Sequence, residues 1–176
     1  MEDARPRRRR GDDHPRPGRR RVTLTPDELE EIRRHAEADY PSECCGVILV
    51  RGGDKRVLVR LRNVQDALHR SDPVRHPRDS STAYAVDGQE WWRQVCKRED
   101  EGYHVAVIYH SHIDVGAYFS ATDTQNALLG GDQPGYPDAT WVVVSVAKGR
   151  AGAAAAFRWN AAQRSFLPVD DPAFCA

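Results

Sequence analysis

The sequence predicts an α+β fold, with a mixed, mostly antiparallel sheet flanked by helices in one domain that spans residues 22–172. Two pairs of neighbouring apolar, β-branched runs predict the antiparallel part of the sheet. Helix-capping residues that precede stretches of helical periodicity predict the helices. The chain has 176 residues, which is enough to build one proper hydrophobic core.

The first predicted helix has the best-defined start. Val22–Leu24 predicts a short strand, and the Thr25–Glu28 segment that follows is a capping box with proline at the first helical position. The helix should continue to about Asp39. Its inward face should carry Leu29, Ile32 and Ala36.

A hairpin and a long loop should follow this helix. The apolar runs Cys45–Arg51 and Arg56–Arg62 bracket a Gly-Gly-Asp turn, which is typical of a hairpin. Residues 64–80 are polar and contain two prolines, so we expect a long loop there.

The central part of the chain predicts a strand, a helix and a second strand. Ala83–Val86 is a candidate strand, and Asp87 should cap a helix that extends to about Arg98. The run Val105–Tyr109 is apolar and β-branched, so it predicts a buried strand. The candidate core residues of the helix are Trp91, Trp92 and Val95.

The C-terminal part predicts a helix followed by two paired strands. The helix should cover Ala121–Leu129, and a turn region rich in glycine and proline should cover Gly130–Asp138. The runs Trp141–Val146 and Ala153–Trp159 predict strands that pair with each other.

Residues 1–21 predict a disordered, arginine-rich tail. They contain nine arginines and four acidic residues, while the whole chain has no net charge, so the remainder carries a net charge of −5. The tail has almost no apolar side chains and cannot bury enough surface to become ordered. Binding of this tail to an acidic partner or a nucleic acid is the less favoured interpretation.

Two further features predict a cytoplasmic protein that does not associate with membranes. The arginines are not followed by the apolar segment of a signal peptide, and no apolar run approaches the roughly 18 residues that span a bilayer. The cysteines at positions 44, 45, 96 and 175 have no paired metal-binding spacing, and neighbours on a strand point to opposite faces. They are therefore interpreted as reduced thiols.

The most informative pattern is His-Ser-His followed by seven residues, a serine, two residues and an aspartate. It offers three metal-ligating side chains, His110, His112 and Asp123, and the hydroxyl of Ser120. Three protein ligands leave one position of a tetrahedral zinc ion open for water. The pattern therefore predicts a metal-dependent hydrolase.

The predicted elements could bring these side chains together. His110 and His112 lie two residues apart at the end of a predicted strand, so they should point to the same side. Ser120 and Asp123 lie three apart at the start of the last predicted helix, which places them on one helix face. The alternative is purely structural, with Ser120 and Asp123 as a helix cap and the histidines as ordinary residues of a strand end.

A hydrolytic zinc site also needs a base that does not bind the metal. Glu43 is one candidate, because it lies between a predicted helix and an apolar strand. Glu90, Glu99 and Glu101 compete with it. Glu90 follows Asp87 by three residues, as the partner in a helix cap does, and the other two lie in a charged run.

Together, these residues resemble the JAMM (MPN-plus) zinc metallopeptidases, a family of isopeptidases with the MPN/JAB-like fold. The sequence is most similar to the bacterial Mec-type sulfur-carrier-protein–cysteine hydrolases. The likeness extends from about Thr23 to Val169 and includes the Pro-Ser-Glu-Cys-Cys-Gly segment around Glu43. It also covers residues 83–92, 105–112, 117–123 and 141–146.

The resemblance implies a role for each site residue. His110, His112 and Asp123 would bind one Zn²⁺ per chain, Glu43 would be the general acid and base, and Ser120 would donate a hydrogen bond to the oxyanion. The implied substrate is a ubiquitin-like sulfur carrier protein with a Gly-Gly C-terminus, from which cysteine is released in cysteine biosynthesis.

Two positions depart from the family pattern. Ile113 and Phe119 stand where the family often has proline, so the loop between them is less restricted. Neither position ligates metal, and we expect the departure to affect substrate preference rather than the chemistry.

Two other functions fit the same sequence. One is a deubiquitinase-like isopeptidase of a bacterial conjugation or defence system, and the other is a non-catalytic scaffold of the same fold. The short region 130–138 leaves little room for a clamp on a second ubiquitin-like unit, which favours a small leaving group such as cysteine. No feature of the sequence indicates an oligomeric state.

Overall fold

A computed structural model describes residues 24–170. The expected arginine-rich tail, Cys175 and the first two residues of the expected strand Val22–Leu24 lie outside this range. Leu24 is buried and belongs to neither a helix nor a strand.

A six-stranded sheet organises the described residues. Its order is β2-β1-β3-β4-β5-β6, and all neighbours are antiparallel except the parallel pair β3 and β4. The strands are β1 (Cys45–Arg51), β2 (Lys55–Leu61), β3 (His104–Ile113), β4 (Thr140–Ala147), β5 (Arg150–Asn160) and β6 (Ser165–Val169). The prediction of an α+β fold with a mixed, mostly antiparallel sheet is confirmed.

Four helical segments accompany the sheet. They are α1 (Pro26–Asp39), α2 (Gln65–Ser71), α3 and α4 (Ala121–Leu128). Helix α3 is continuous and has three parts: Gly88–Trp91, a π-helical turn at Trp92–Cys96, and Lys97–Asp100. No helix within residues 24–170 is both long enough and apolar enough to cross a lipid bilayer.

Helix α1 begins and ends where the sequence predicts. The Thr25 side chain accepts a hydrogen bond from the Glu28 backbone, and the Glu28 carboxylate accepts one from the Thr25 backbone. The three residues predicted to face inward are all buried, and His35 is buried beside them. The helix packs against β3, β4 and β5 on one face of the sheet.

The sheet separates two hydrophobic clusters. The cluster on the α1 face includes Leu29, Ile48, Val107, Tyr109 and Val144. The opposite cluster includes Val47, Val95, Ile108, Ala127 and Trp141. As predicted for neighbours on a strand, Cys44 belongs to the first cluster and Cys45 to the second, and both are free thiols.

The prediction of a loop over residues 64–80 is partly wrong, because α2 occupies its first half. The residue at the N-cap position makes no side-chain hydrogen bond, although Asn63 Oδ1 accepts from the Gln65 backbone (3.0 Å). Tertiary hydrogen bonds also stabilise this helix. Gln65 donates from Nε2 to the Arg78 carbonyl (2.7 Å), and Asp66 accepts from the Ser80 backbone (2.7 Å).

The predicted strand at Ala83–Val86 is wrong, since this segment forms only one isolated bridge, between Asn63 and Val86. The Asn63 side chain takes the place of a strand partner. Its amide nitrogen donates to the Ala83 carbonyl (3.1 Å), and its oxygen accepts from the Ala85 backbone (3.1 Å).

The predicted cap and core of α3 are correct except at one tryptophan. Asp87 accepts hydrogen bonds from the next turn, and the helix continues two residues beyond Arg98. Val95 is buried, but Trp92 is 55% exposed, with Lys97 over its ring, so its assignment to the core is wrong. Trp91 and Val95 are four apart and share the inward face, which leaves Trp92 outside it.

The remaining predicted strands are present with small shifts. Strand β3 extends to Ile113, so both histidines lie within it rather than at its end, and β2 begins and ends one residue before its predicted bounds. The predicted strands Trp141–Val146 and Ala153–Trp159 lie within β4 and β5 and pair as expected. The additional strand β6 was not predicted.

Candidate metal centre

Strand β3 places two histidines on one face in the middle of the sheet. His110 lies opposite Cys45 on β1 and beside Val143 on β4. Because residues two apart on a strand point to the same face, His110 and His112 both project away from α1. The His110 residue is fully buried, and His112 is only 5% exposed.

The first turn of α4 brings Asp123 to the same place. Ser120 caps the helix, with its Oγ accepting from the Asp123 backbone (3.1 Å) while the Asp123 carboxylate accepts from the Ser120 backbone (2.7 Å). The capping interpretation is therefore correct. It does not exclude a second role, because a carboxylate has further lone pairs to offer.

Three side chains converge through their ligating atoms. The Nε2 atoms of His110 and His112 lie 3.3 Å apart. Asp123 Oδ1 lies 3.2 Å from His110 Nε2, and Asp123 Oδ2 lies 3.4 Å from His112 Nε2. Among the described residues, this is the group of histidine, cysteine and acidic side chains that is close enough to hold one metal ion.

The hydrogen bonding of His112 supports a cation at this point. Its Nδ1 lies 3.1 Å from the Gly116 carbonyl, which can only accept, so Nδ1 carries the hydrogen. In the neutral ring, Nε2 then presents a lone pair towards the Asp123 carboxylate. This arrangement favours a positive charge between the groups, and the donor set of two imidazoles and one carboxylate fits a divalent metal ion.

The ionisation of these groups follows from burial and from their mutual contacts. Burial lowers the pKa of His110. Burial also acts to lower the pKa of His112, but the Asp123 carboxylate outweighs it and raises that pKa. Although burial would raise the pKa of Asp123, its contacts with the two imidazoles hold it well below its usual range.

His110 is positioned by ring contacts rather than by a hydrogen bond at its far nitrogen. Within residues 24–170, its Nδ1 has no hydrogen-bond partner. The ring stacks on Tyr84, with centroids 4.8 Å apart, and meets Phe119 edge-on at 6.5 Å.

Glu43 lies at the edge of the same site, immediately before β1, and is only 5% exposed. Its backbone nitrogen donates to the Ser80 carbonyl (2.7 Å), and its carbonyl accepts from Asn63 Nδ2 (2.9 Å). The next backbone nitrogen, that of Cys44, donates to Ser111 Oγ (2.8 Å). Burial raises the pKa of the Glu43 carboxyl to about 8, against the opposing effect of His112.

A cavity of about 280 Å³ joins Glu43 to two of the three convergent side chains, those of His112 and Asp123. The rival carboxylates Glu90, Glu99 and Glu101 do not line it. The cavity is lined by Glu43, His112, Ser120 and Asp123, together with Arg78, Ser81, Thr82, Tyr84, Val115 and Tyr118 among others. Sequence reasoning missed Arg78, because it lies in a polar segment with no motif around it.

The loop between the histidines and Ser120 is attached at both ends. Ile113 is the last residue of β3, and Phe119 packs against Trp141, Phe157 and Phe166. Between these ends, Val115 and Tyr118 are about half exposed at the mouth of the cavity.

Comparison with known proteins gives matches over most of the chain. The family of prokaryotic homologues of the JAB domain matches residues 25–161. The CysO-cysteine peptidases of Mycobacterium tuberculosis and Mycobacterium bovis are each 31% identical to this chain over 124 residues, which cover 70% of this chain and 73% of theirs.

Two solution structures are similar in fold. A protein from Salinibacter ruber superposes with a TM-score of 0.56 at 28% identity, covering 85% of this chain and 90% of its own. A protein from Desulfitobacterium hafniense superposes with a TM-score of 0.58 at 21% identity, covering 84% and 89% respectively, and this likeness concerns the fold alone.

Proposed function

The chain belongs to the family of prokaryotic homologues of the JAB domain, and from this premise we propose that it is a zinc-dependent peptidase. One observation carries the proposal. Two imidazoles and a carboxylate form a compact set, and two of its members, His112 and Asp123, line a small cavity together with the separate, buried carboxylate of Glu43. Metal-dependent hydrolysis needs this combination of ligands and a separate base.

His110, His112 and Asp123 would hold one Zn²⁺, since nitrogen and carboxylate ligands suit zinc and three of them leave a position open for catalysis. When bound in such a site, zinc lowers the pKa of water and polarises the carbonyl group under attack.

Glu43 would act as the general base and then as the general acid. It would accept a proton from water and pass it to the nitrogen of the leaving amine as the C–N bond breaks. A pKa raised to about 8 by burial allows both protonation states near neutral pH, which is the condition for efficient proton transfer. Its three-point backbone attachment would keep the carboxylate in place between the two transfers.

Ser120 would stabilise the negative charge that develops on the carbonyl oxygen. Its Oγ already accepts a hydrogen bond from the Asp123 backbone, so the hydroxyl hydrogen is directed elsewhere. A hydroxyl held in this way can donate to an oxyanion without first being ordered.

We infer the substrate class from the relatives. They are named CysO-cysteine peptidases, and the chain covers 73% of their length at 31% identity. The proposed substrate is a ubiquitin-like sulfur carrier protein whose Gly-Gly C-terminus bears a cysteine. The peptide bond between the last glycine and the cysteine would be hydrolysed to free the carrier and the amino acid.

Incubation with a carrier that ends in Gly-Gly-Cys, followed by mass spectrometry, tests this proposal. We expect the loss of one cysteine residue from the carrier. Glu43→Gln should retain the metal but lose activity by a factor of about 10²–10⁴. Glu99→Gln, a carboxylate outside the cavity, is the matched control and should behave as wild type.

Two results would contradict the proposal. A Glu43→Gln variant as fast as wild type would contradict the assignment of Glu43 as the general base. Cleavage of a carrier joined to a lysine side chain, without cleavage of the cysteine-terminated carrier, would identify an isopeptidase instead.

A further inference from the structure

Arg78 supplies a positive charge at the rim of the catalytic cavity. Its side chain lines the cavity together with Glu43, His112 and Asp123, and it is close enough to Glu43 to act on that carboxyl electrostatically. The hydrogen bond found for its guanidinium runs from Nη1 to the Thr82 carbonyl (3.2 Å). A guanidinium has five N–H donors, so this contact leaves donors for another partner.

The position of Arg78 is fixed by the segment around it. Gln65 on α2 donates to the Arg78 carbonyl, and Asp66 on the same helix accepts from the backbone of Ser80. The contact with Thr82 ties the guanidinium itself to the opposite end of this short segment. Three hydrogen bonds within and around this segment therefore hold Arg78, an exposed residue, at the rim of the cavity.

Among the side chains that line the cavity, one carries a charge that would attract an anionic group of a substrate. Glu43 and Asp123 would repel such a group, and His112 is engaged with Asp123. Among the residues that line the cavity, Arg78 is the side chain with a permanent positive charge. No carboxylate within residues 24–170 forms an ion pair with it.

A C-terminal amino acid as the leaving group carries a carboxylate close to the scissile bond, whereas an isopeptide-linked lysine does not. In a C-terminal amino acid, two bonds separate the nitrogen of the scissile bond from the carboxylate carbon, a distance of about 2.5 Å. The ε-amine of a lysine inside a protein carries no carboxylate at comparable distance. A cation beside the reacting groups therefore distinguishes the two kinds of leaving group.

We propose that Arg78 forms a subsite that binds the free α-carboxylate of the departing residue, and that it selects a single C-terminal amino acid over an isopeptide-linked protein. This inference rests on the proposed peptidase function and specifies its leaving group. The guanidinium binds the carboxylate through charge-assisted hydrogen bonds, which are stronger than neutral ones and favour a two-pronged contact.

The test compares two substrates that differ only at this carboxylate. One is the carrier ending in Gly-Gly-Cys, and the other is the same carrier ending in cysteinamide. For the zinc-loaded wild type, kcat/KM should be about 10- to 100-fold higher for the free acid, the range of a hydrogen bond to a charged group. Arg78→Gln should reduce this ratio to about one. Arg78→Lys should retain part of it, because lysine keeps the positive charge but lacks the planar guanidinium that can contact both carboxylate oxygens.

The ratio separates the subsite from other roles of Arg78. A general effect on folding or on the pKa of Glu43 changes both substrates together and leaves the ratio as it was. Arg75→Gln, an exposed arginine outside the cavity lining, is the control and should retain the wild-type ratio.

Each other outcome is decisive. Equal cleavage of both substrates by the wild type, or an unchanged ratio in Arg78→Gln, overturns the subsite and leaves the peptidase function standing. If the wild type cleaves neither substrate, the proposed function fails and the subsite fails with it.

Discussion

Helices α1 and α4 begin with the same hydrogen-bonded pattern. At α1, Thr25 and Glu28 exchange hydrogen bonds of 2.9 and 3.2 Å between side chain and backbone. At α4, Ser120 and Asp123 do the same at 2.7 and 3.1 Å. Each pattern satisfies backbone N–H groups that a helix leaves unpaired at its start.

Glu28 and Asp123 differ in the groups that face the remaining lone pairs of their carboxylates. Glu28 accepts two hydrogen bonds of 2.6 Å from Arg56, a cation supplied by β2. Asp123 faces the Nε2 atoms of His110 and His112, which are not permanent cations. The capping pattern thus stabilises both helices. The group that faces the remaining lone pairs of the carboxylate determines whether the carboxylate could also help to hold a metal ion.

The largest expected effect comes from removing the charge of each acid in turn. Asp123→Asn keeps an oxygen for the helix cap but offers a weaker metal ligand, so we expect loss of both metal and turnover. Glu28→Gln should retain both. Metal analysis of the purified variants and the carrier assay measure the two properties.

A chelator adds a readout independent of activity. A ligand at a hundred times its Kd stabilises a fold by about 2.7 kcal/mol. EDTA should therefore lower the Tm of wild type and Glu28→Gln, but not that of Asp123→Asn. A metal-loaded, active Asp123→Asn protein would contradict the ligand assignment.

The next effect comes from removing each capping hydroxyl. Thr25→Ala and Ser120→Ala should each lower the free energy of unfolding by about 1 kcal/mol, because each helix loses its side-chain cap. Only Ser120→Ala should also slow turnover, by about 10²–10³-fold, since it alone removes the proposed oxyanion donor. Denaturant unfolding and steady-state kinetics separate the two effects, and equal rates for the two variants would rule out a catalytic role for Ser120.

The smallest effect concerns the pH dependence of the α1 cap. Although burial acts to raise it, the hydrogen bonds with Arg56 and Thr25 bring the pKa of Glu28 below its ordinary value of 4.5. A carboxyl with a lowered pKa in the folded state stabilises the fold above its unfolded pKa, and this stabilisation is lost as pH falls through the folded pKa. Wild type should therefore be more stable than Glu28→Gln at pH 7, and the difference should vanish in acid. A difference that persists well below pH 4 would show that the pair with Arg56 is not its source.

Local patterns were sufficient to predict much of the fold. The bounds of α1 follow from a capping box, a proline and a regular apolar face, all within residues 25–39. The hairpin of β1 and β2 was predicted to within one residue from two apolar runs and a glycine turn. The convergence of His110, His112 and Asp123 was also predicted, because strand and helix periodicity orient each pair of residues.

Contacts between distant segments account for what the sequence did not reveal. Helix α2 has no capping side chain at its N-cap position and forms hydrogen bonds with the backbone of the distant residues 78–80. Strand β6 contains Pro168 and, among the strands of residues 24–170, pairs only with β5, so its pattern is weaker than that of a central strand. The place of Arg78 in the cavity follows from α2, and it could not be predicted while that helix was expected to be a loop.

The hydrogen bond of the Ser111 hydroxyl helps to determine whether the protein or the substrate loses more conformational entropy on binding. Ser111 lies on β3 between the two histidines and accepts from the backbone of Cys44, next to Glu43. The proposed base thus lies just before β1, and two of the proposed ligands lie on the adjoining strand β3, which together form a frame with few alternative arrangements. A flexible protein terminus that binds in this frame loses more conformational entropy than the frame does. The entropic cost of binding therefore comes mainly from ordering the terminus.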